Sequence, residues 1–288
     1  MELVHDYMLQ PELRHALNEL TQQVFGFDFE SWVAKGYFQG EYIPWSLMDK
    51  GKMVCNVSAN AMEFMQNGQP RRYIQLGTVM THPDYRNKGL ASSLMRYVLS
   101  IYEPAWEGIY LFGNLDALDF YRKLGFCEMT EYVPELKEMH LPLLGQSPAF
   151  RPLQKEEERA YMDALRHAAV NAALEQTNRF GLQLFYTGNF DNVRFCPELD
   201  CYAVWEEENA RLTLQSLVCR RPLSLKEVLP RLPKADALML GFTPVAADAP
   251  LFTFTPYDGG DDYRLFYRGK TLSSVAEEKL LFPALSHA

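Results

Sequence analysis

Apolar residues recur every three or four positions from Pro11 to Phe25, at Leu13, Leu17, Leu20 and Val24, which predicts an amphipathic helix opened by Pro11. A shorter helix is expected over Phe29 to Tyr37. The period then changes to that of strands in Lys52 to Phe64 and Arg72 to Thr81, joined through a Gln66-Asn67-Gly68 turn. Helical spacing returns from Lys88 to Tyr102, with Leu90, Leu94, Val98 and Ile101 on one face. Gly108 to Phe112 predicts a short strand, and Leu115 to Leu124 a helix closed by Gly125. Phe126 to Val133 and Leu136 to Leu141 read as closing strands. This order predicts a mixed α+β layer, with a largely antiparallel sheet flanked by helices, rather than an uninterrupted βαβ series.

Leu143 to Pro152, with two prolines, a glycine and a serine, is the best boundary, which divides the chain into units 1–145 and 146–288. In the second unit Phe150 to Leu153 suits a strand, Lys155 to Leu174 a long helix, and Tyr202 to Glu206 with Arg211 to Cys219 a hairpin. Leu223 to Leu232 predicts a short helix and Ala237 to Phe242 a strand. Leu251 to Thr255 and Tyr263 to Tyr267 read as a last hairpin around Asp258-Gly259-Gly260. Most aromatics of the run Phe180 to Phe195 are expected in the core, and its glycines and asparagines also allow a loop bordering the cleft. The two halves share their order of elements, which suggests a tandem repeat of one fold.

The 288 residues suffice for about two domains, and 48% hydrophobic with 23% charged residues is ordinary globular composition. The formal net charge of −9 argues against a nucleic acid or an anionic membrane as the main partner, since both call for an extended cationic face. The first residues carry acids and histidines where a secretory leader would need a basic stretch and then an apolar one. Five cysteines without a CxxC pair fit a reduced, cytoplasmic protein, and the six histidines form no HxxxH or HExxH group, so no metal is expected. No oligomeric state can be read, although a homo-oligomer is compatible with the chain.

Chemistry concentrates in Leu76 to Ala91, LGTVMTHPDYRNKGLA, where a strand enters a turn that opens a helix. N–H groups at a helix start lack internal partners and point along the positive end of the dipole, a setting that binds phosphate. Gly89 lets the main chain approach an anion closely, Ala91 is nearly as small, and Arg86 and Lys88 add positive charge. The turn therefore suits a pyrophosphate. The chain has neither GxxxxGK followed by Ser or Thr, nor GxGxxG.

Arg86, Gly89 and Ala91 fill the defining positions of Q/R-x-x-G-x-G/A, after the lead-in His82-Pro83-Asp84-Tyr85. A later block contains Asn114, Ala117, Phe120-Tyr121 and Gly125-Phe126. With both motifs in this order, residues Lys52 to His140 resemble the GCN5-related N-acetyltransferase (GNAT) superfamily, and the first fifty residues match it by topology. The resemblance implies a GNAT fold, here with a degenerate second GNAT-like half, and acetyl-CoA as co-substrate. It implies that backbone groups of Val79, Met80 and Thr81 pair with the pantetheine arm. The N–H groups of Arg86, Asn87, Lys88, Gly89, Leu90 and Ala91 would then hold the pyrophosphate, and Asn114 would sit near the pantetheine or thioester. Tyr121 matches the tyrosine that protonates the leaving thiolate, a role that also suits a phenol beside a departing sulfur.

The expected activity is transfer of acetyl to the amine of a small molecule or peptide by direct attack in a ternary complex. A CoA-binding sensor with little turnover, and an acyltransferase for longer acyl-CoA, stay open as alternatives. Glu41 and Glu63 are candidate bases, His82 reads as structural, and Cys127 as a buried, inert thiol. In the second half the matching turn, Arg220-Arg221-Pro222-Leu223-Ser224, has no glycine, and Pro222 removes an N–H, so its phosphate cradle is expected to be lost. That half would then wall the substrate cleft or mediate assembly.

Overall fold

A computed structural model describes residues 1–288. Strands β1 (Glu2–His5), β2 (Tyr42–Asp49), β3 (Lys52–Gln66), β4 (Gln69–Thr81), β5 (Gly108–Asn114) and β6 (Cys127–Met129) come first, then β7 (Glu131–Leu136). β8 (Arg151–Pro152), β9 (Leu174–Gln176), β10 (Val193–Cys196), β11 (Cys201–Glu208), β12 (Arg211–Cys219), β13 (Ala237–Leu240), β14 (Phe252–Tyr257) and β15 (Tyr263–Arg268) follow. The helices are α1 (Pro11–Phe25), α2 (Glu30–Ala34), α3 (Leu90–Tyr102), α4 (Leu118–Lys123), α5 (Glu158–Arg166), α6 (Phe180–Thr187), α7 (Leu225–Val228) and α8 (Ser273–Glu277). None is long and apolar enough to cross a membrane.

Two mixed sheets share one topology. The first runs β1-β2-β3-β4-β5-β15-β6, and the second, read from its other edge, runs β8-β10-β11-β12-β13-β7-β14. In each sheet the fourth and fifth strands of the path are parallel, β4 with β5 and β12 with β13. In each, the sixth position is filled by a strand from the other half of the chain. β15 pairs antiparallel with β5 and β6, while β7 pairs antiparallel with β14 and β13. Phe266 of β15 is fully buried among Ile109, Leu111 and Tyr121, so the exchanged strand also completes the first core.

Several expectations meet tertiary context. Tyr263 to Tyr267 does form a strand, but it leaves its neighbour for the other sheet, so the last hairpin does not exist. Leu136 to Leu141 is not a strand: β7 ends at Leu136, and Glu138–Leu143 coils into 3₁₀ turns around Pro142, which has no N–H to offer a ladder. The helix expected to reach Leu174 stops at Arg166, because Leu174–Gln176 pairs with the end of β3 instead. The run from Phe180 forms α6 and then β10, with Phe180, Leu182 and Leu184 buried, rather than a loop. β1 and β2 are additional; Pro44 within β2 masks its strand pattern.

Candidate active site

The site lies where β4 and β5 part. Their parallel ladder joins Tyr73 to Gly108, Ile74 to Ile109 and Gln75 to Tyr110, and goes no further. Residues 76–81 therefore keep β3 on one side and have no strand on the other. Within this stretch Val57 of β3 faces both Thr78 and Val79, a β-bulge in which Thr78 takes a φ of 42°. A chain of partly buried hydrogen bonds pins it: the Thr78 hydroxyl lies 2.7 Å from that of Tyr42 and 2.8 Å from that of Ser58, and Asn56 Nδ2 donates to the Thr78 carbonyl at 2.8 Å.

The turn after β4 has its main chain arranged for an anion. His82 is buried and its Nδ1 accepts the N–H of Asp84, which makes it the cap of the turn. Asn87 and Gly89 both adopt left-handed conformations, φ 60° and 76°, and nothing lies within 4 Å of the Cβ position at Gly89. The N–H groups of residues 87–92 enter none of the chain's own hydrogen bonds, and they stand at the start of the thirteen-residue α3. Arg86 and Lys88 are exposed around them. The arrangement is a cationic nest able to hold a phosphate.

The corresponding turn of the second half spends its donors internally. Asp248, which is buried, accepts the N–H of Leu225 at 2.8 Å and the Ser224 hydroxyl at 2.7 Å, while Asn171 Oδ1 takes the N–H of Leu223. A protein carboxylate thus fills the anion position, and α7 has only four residues.

Two cavities meet between β4 and β5. A groove of about 590 Å³ runs past Val79, Met80, Thr81 and all of Arg86 to Ala91, and reaches Asn114 and Tyr121. A second cavity of about 250 Å³ shares Phe25, Val79, Asn114 and Tyr121 with the groove. The groove thus gathers Val79 to Thr81, Arg86 to Ala91, Asn114, Ala117, Phe120 and Tyr121, whereas Gly125 and Phe126 lie outside it, and the Arg86 N–H, expected in the cradle, is taken by the Pro83 carbonyl at 3.3 Å.

Tyr121 sits at the junction. It is 6% exposed, with Phe120, Phe126 and Phe266 around its ring. Gly113 makes room for it, since a Cβ there would come within 2.7 Å of the ring. Burial pushes its phenol up to about 12, so the group stays protonated across the ordinary pH range. Asn114 ends β5 and pairs with Tyr263 of β15, so an exchanged strand fixes it.

The inner cavity draws on both halves, with Glu41, Tyr42 and Phe112 from the first and Leu182, Phe185 and His287 from the second. Its existence could not be read from local motifs, although the aromatic runs Phe25 to Trp32 and Phe180 to Tyr186 were its signal. His287 stacks on Phe112 with ring centroids 3.7 Å apart, its Nε2 is buried without a partner, and burial pulls it down to about 4. Glu131 anchors the segment that carries it: the fully buried carboxylate accepts the N–H of Phe282 at 2.9 Å, and burial raises it to about 7. Glu63 lies on β3 away from both cavities, exposed. Cys127 is exposed rather than buried, because the short β6 ends the sheet and leaves its outer side open. No group of three or more His, Cys, Asp or Glu is placed to hold a metal ion.

Residues 9–129 match the family model described as an acetyltransferase (GNAT) domain. No curated relative matches by sequence. Solved structures align along nearly the whole chain. A GCN5-related N-acetyltransferase from Kribbella flavida matches at 15% identity and TM-score 0.57, covering 96% of this chain and 73% of its own. A probable N-acyltransferase from Enterococcus faecalis matches at 12% and 0.58, covering 96% and 74%. Eis1 from Mycobacterium abscessus matches at 12% and 0.56, covering 92% and 73%. Residues 9–129 are thus similar to GNAT acetyltransferase domains, which supports an acyltransferase, and the chain as a whole shares the fold of these structures.

Proposed function

We propose that the protein transfers acetyl from acetyl-CoA to an amine by direct attack in a ternary complex. The observation that carries this reading is the run of six unpaired N–H groups at the start of α3, on a groove that meets an aromatic cavity at Tyr121. The pyrophosphate rests on residues 87–92, with Arg86 and Lys88 beside it. The pantetheine arm lies along Val79, Met80 and Thr81, where β4 has no second neighbour, and Asn114 flanks the thioester. The amine enters from the inner cavity.

The amine nitrogen bonds to the thioester carbon, and the N–H groups of the β4 bulge meet the oxygen that becomes negative. The carbon–sulfur bond then breaks, and the Tyr121 hydroxyl gives its proton to the departing thiolate. The amine sheds one proton, for which Glu41 and His287 are the acceptors that line the cavity. Amide and CoA thiol leave, and the phenolate regains its proton from the amine's through solvent. Five free cysteines suit a reducing compartment such as the cytoplasm.

Thiol release from acetyl-CoA, followed with a panel of amines, tests the reading. Release that depends on the amine and yields one N-acetyl product per thiol is expected. Acetyl-CoA binding without release under any amine would favour a sensor, and faster release from a longer acyl-CoA would change the donor.

A further inference from the structure

The bulge in β4 is anchored by one side chain of β3. Asn56 is fully buried. Its Nδ2 donates to the Thr78 carbonyl at 2.8 Å and to the Ser58 hydroxyl at 3.0 Å, while its Oδ1 accepts the Ser46 hydroxyl at 2.7 Å. Behind it, Ser46 Oγ lies 2.6 Å from the hydroxyl of Tyr7, and both residues are fully buried. The amide of Asn56 is therefore held from the core side, and neither it, Ser46 nor Tyr7 lines the groove or the inner cavity.

The bond to the Thr78 carbonyl follows from the register. Val57 of β3 faces both Thr78 and Val79, so the regular ladder is broken there. A peptide carbonyl displaced from a ladder needs another donor, and Asn56 Nδ2 supplies it. Thr78 at φ 42° adopts a conformation that β-branched residues rarely visit and that persists only where the surroundings impose it. A peptide unit is planar, and every one in this chain is trans, so its C=O and N–H point in opposite directions. Holding the Thr78 carbonyl on Asn56 thus turns the Val79 N–H away from that buried amide. Val79 lines both the groove and the inner cavity, as Tyr121 does, so this peptide stands at their junction.

We propose that Asn56 is a positioning residue for acyl transfer, which fixes the Thr78–Val79 peptide so that its N–H meets the thioester oxygen as that oxygen gains charge. This rests on the acetyl-transfer reading above and adds to it the group that sets the oxyanion donor. Asn56 acts only through the main chain of β4. A donor aimed in advance at the developing charge lowers the barrier because nothing has to reorganise during the reaction, and a bulge free to relax into a regular ladder would lose that advantage.

Infrared spectroscopy of bound acetyl-CoA, isotope-labelled at the thioester carbonyl, reads this hydrogen bond without any acceptor. Asn56→Leu keeps the approximate shape of the side chain and removes the donor. Its bound carbonyl band is expected at higher wavenumber than in the wild-type protein. Turnover with the best amine of the panel falls about 100-fold, the size of losing one oxyanion donor, while acetyl-CoA affinity by calorimetry stays within about threefold. Asn56→Ala gives the same changes and stands in if the leucine variant does not fold. Ser46→Ala breaks the same network one bond further back and spares the contact with Thr78. It lowers the thermal transition but leaves the band in place and turnover within about threefold of wild type. An unmoved band with unchanged turnover in a folded Asn56 variant, a parallel loss of acetyl-CoA affinity, or an equal loss of turnover in Ser46→Ala would overturn the positioning role alone. Failure of the wild-type protein to bind acetyl-CoA, or to release its thiol with any amine, would instead overturn the reading beneath it.

Discussion

Tyr121→Phe lowers turnover by about 100-fold or more while the affinity for acetyl-CoA changes less than about twofold. The phenyl ring keeps its packing against Gly113, Phe126 and Phe266, so the groove retains its shape and loses one proton. The hydroxyl makes no hydrogen bond within the protein, so its removal leaves no group unsatisfied. With the phenol pushed up to about 12, the donor stays protonated, and wild-type turnover should show no loss from ionisation of Tyr121 between pH 6 and about 10. Steady-state kinetics and calorimetry on the same two proteins separate the outcomes. Equal turnover removes Tyr121 from the acid role, and a parallel loss of cofactor affinity makes it a packing residue.

Residues 1–145 expressed alone do not fold into a cofactor-binding unit. β5 and β6 would lack the strand between them, and the Phe266 position would be a hole beneath Tyr121. In the full chain, Phe266→Ala costs about 3–5 kcal/mol, a large part of the roughly 5–15 kcal/mol that holds a domain together. Denaturant unfolding measures the second effect, and circular dichroism with acetyl-CoA titration the first. A fragment that unfolds cooperatively and binds acetyl-CoA would mean that the exchanged strand is dispensable.

The parts of this molecule legible in sequence are those whose physics is local. The anion cradle is six consecutive N–H groups with a left-handed glycine among them, so Arg86 to Ala91 announce it in a single window. Asn114 and Tyr121 follow within one strand and one helix of that window. The inner cavity has no such window: Glu41, Phe112, Phe185 and His287 come from four distant stretches. The strand exchange is equally silent, because Tyr263 to Arg268 alternate the same way in either sheet, and only the burial of Phe266 against the first core decides where they go. The helix expected to run to Leu174 fails for a related reason: an open stretch of β3 claims Leu174–Gln176 by main-chain pairing, which periodicity does not report.

The central claim is that the main chain ahead of α3 grips the diphosphate of the acyl carrier. Gly89→Asp tests it most directly, because a side chain there is strained at φ 76° and puts a negative charge into the cradle, while open space around the position spares the fold. Calorimetric titration with acetyl-CoA should give clear binding to the wild-type protein and a loss of about 100-fold or more in the variant, with the thermal transition preserved. Unchanged affinity in a folded Gly89→Asp protein would contradict the account.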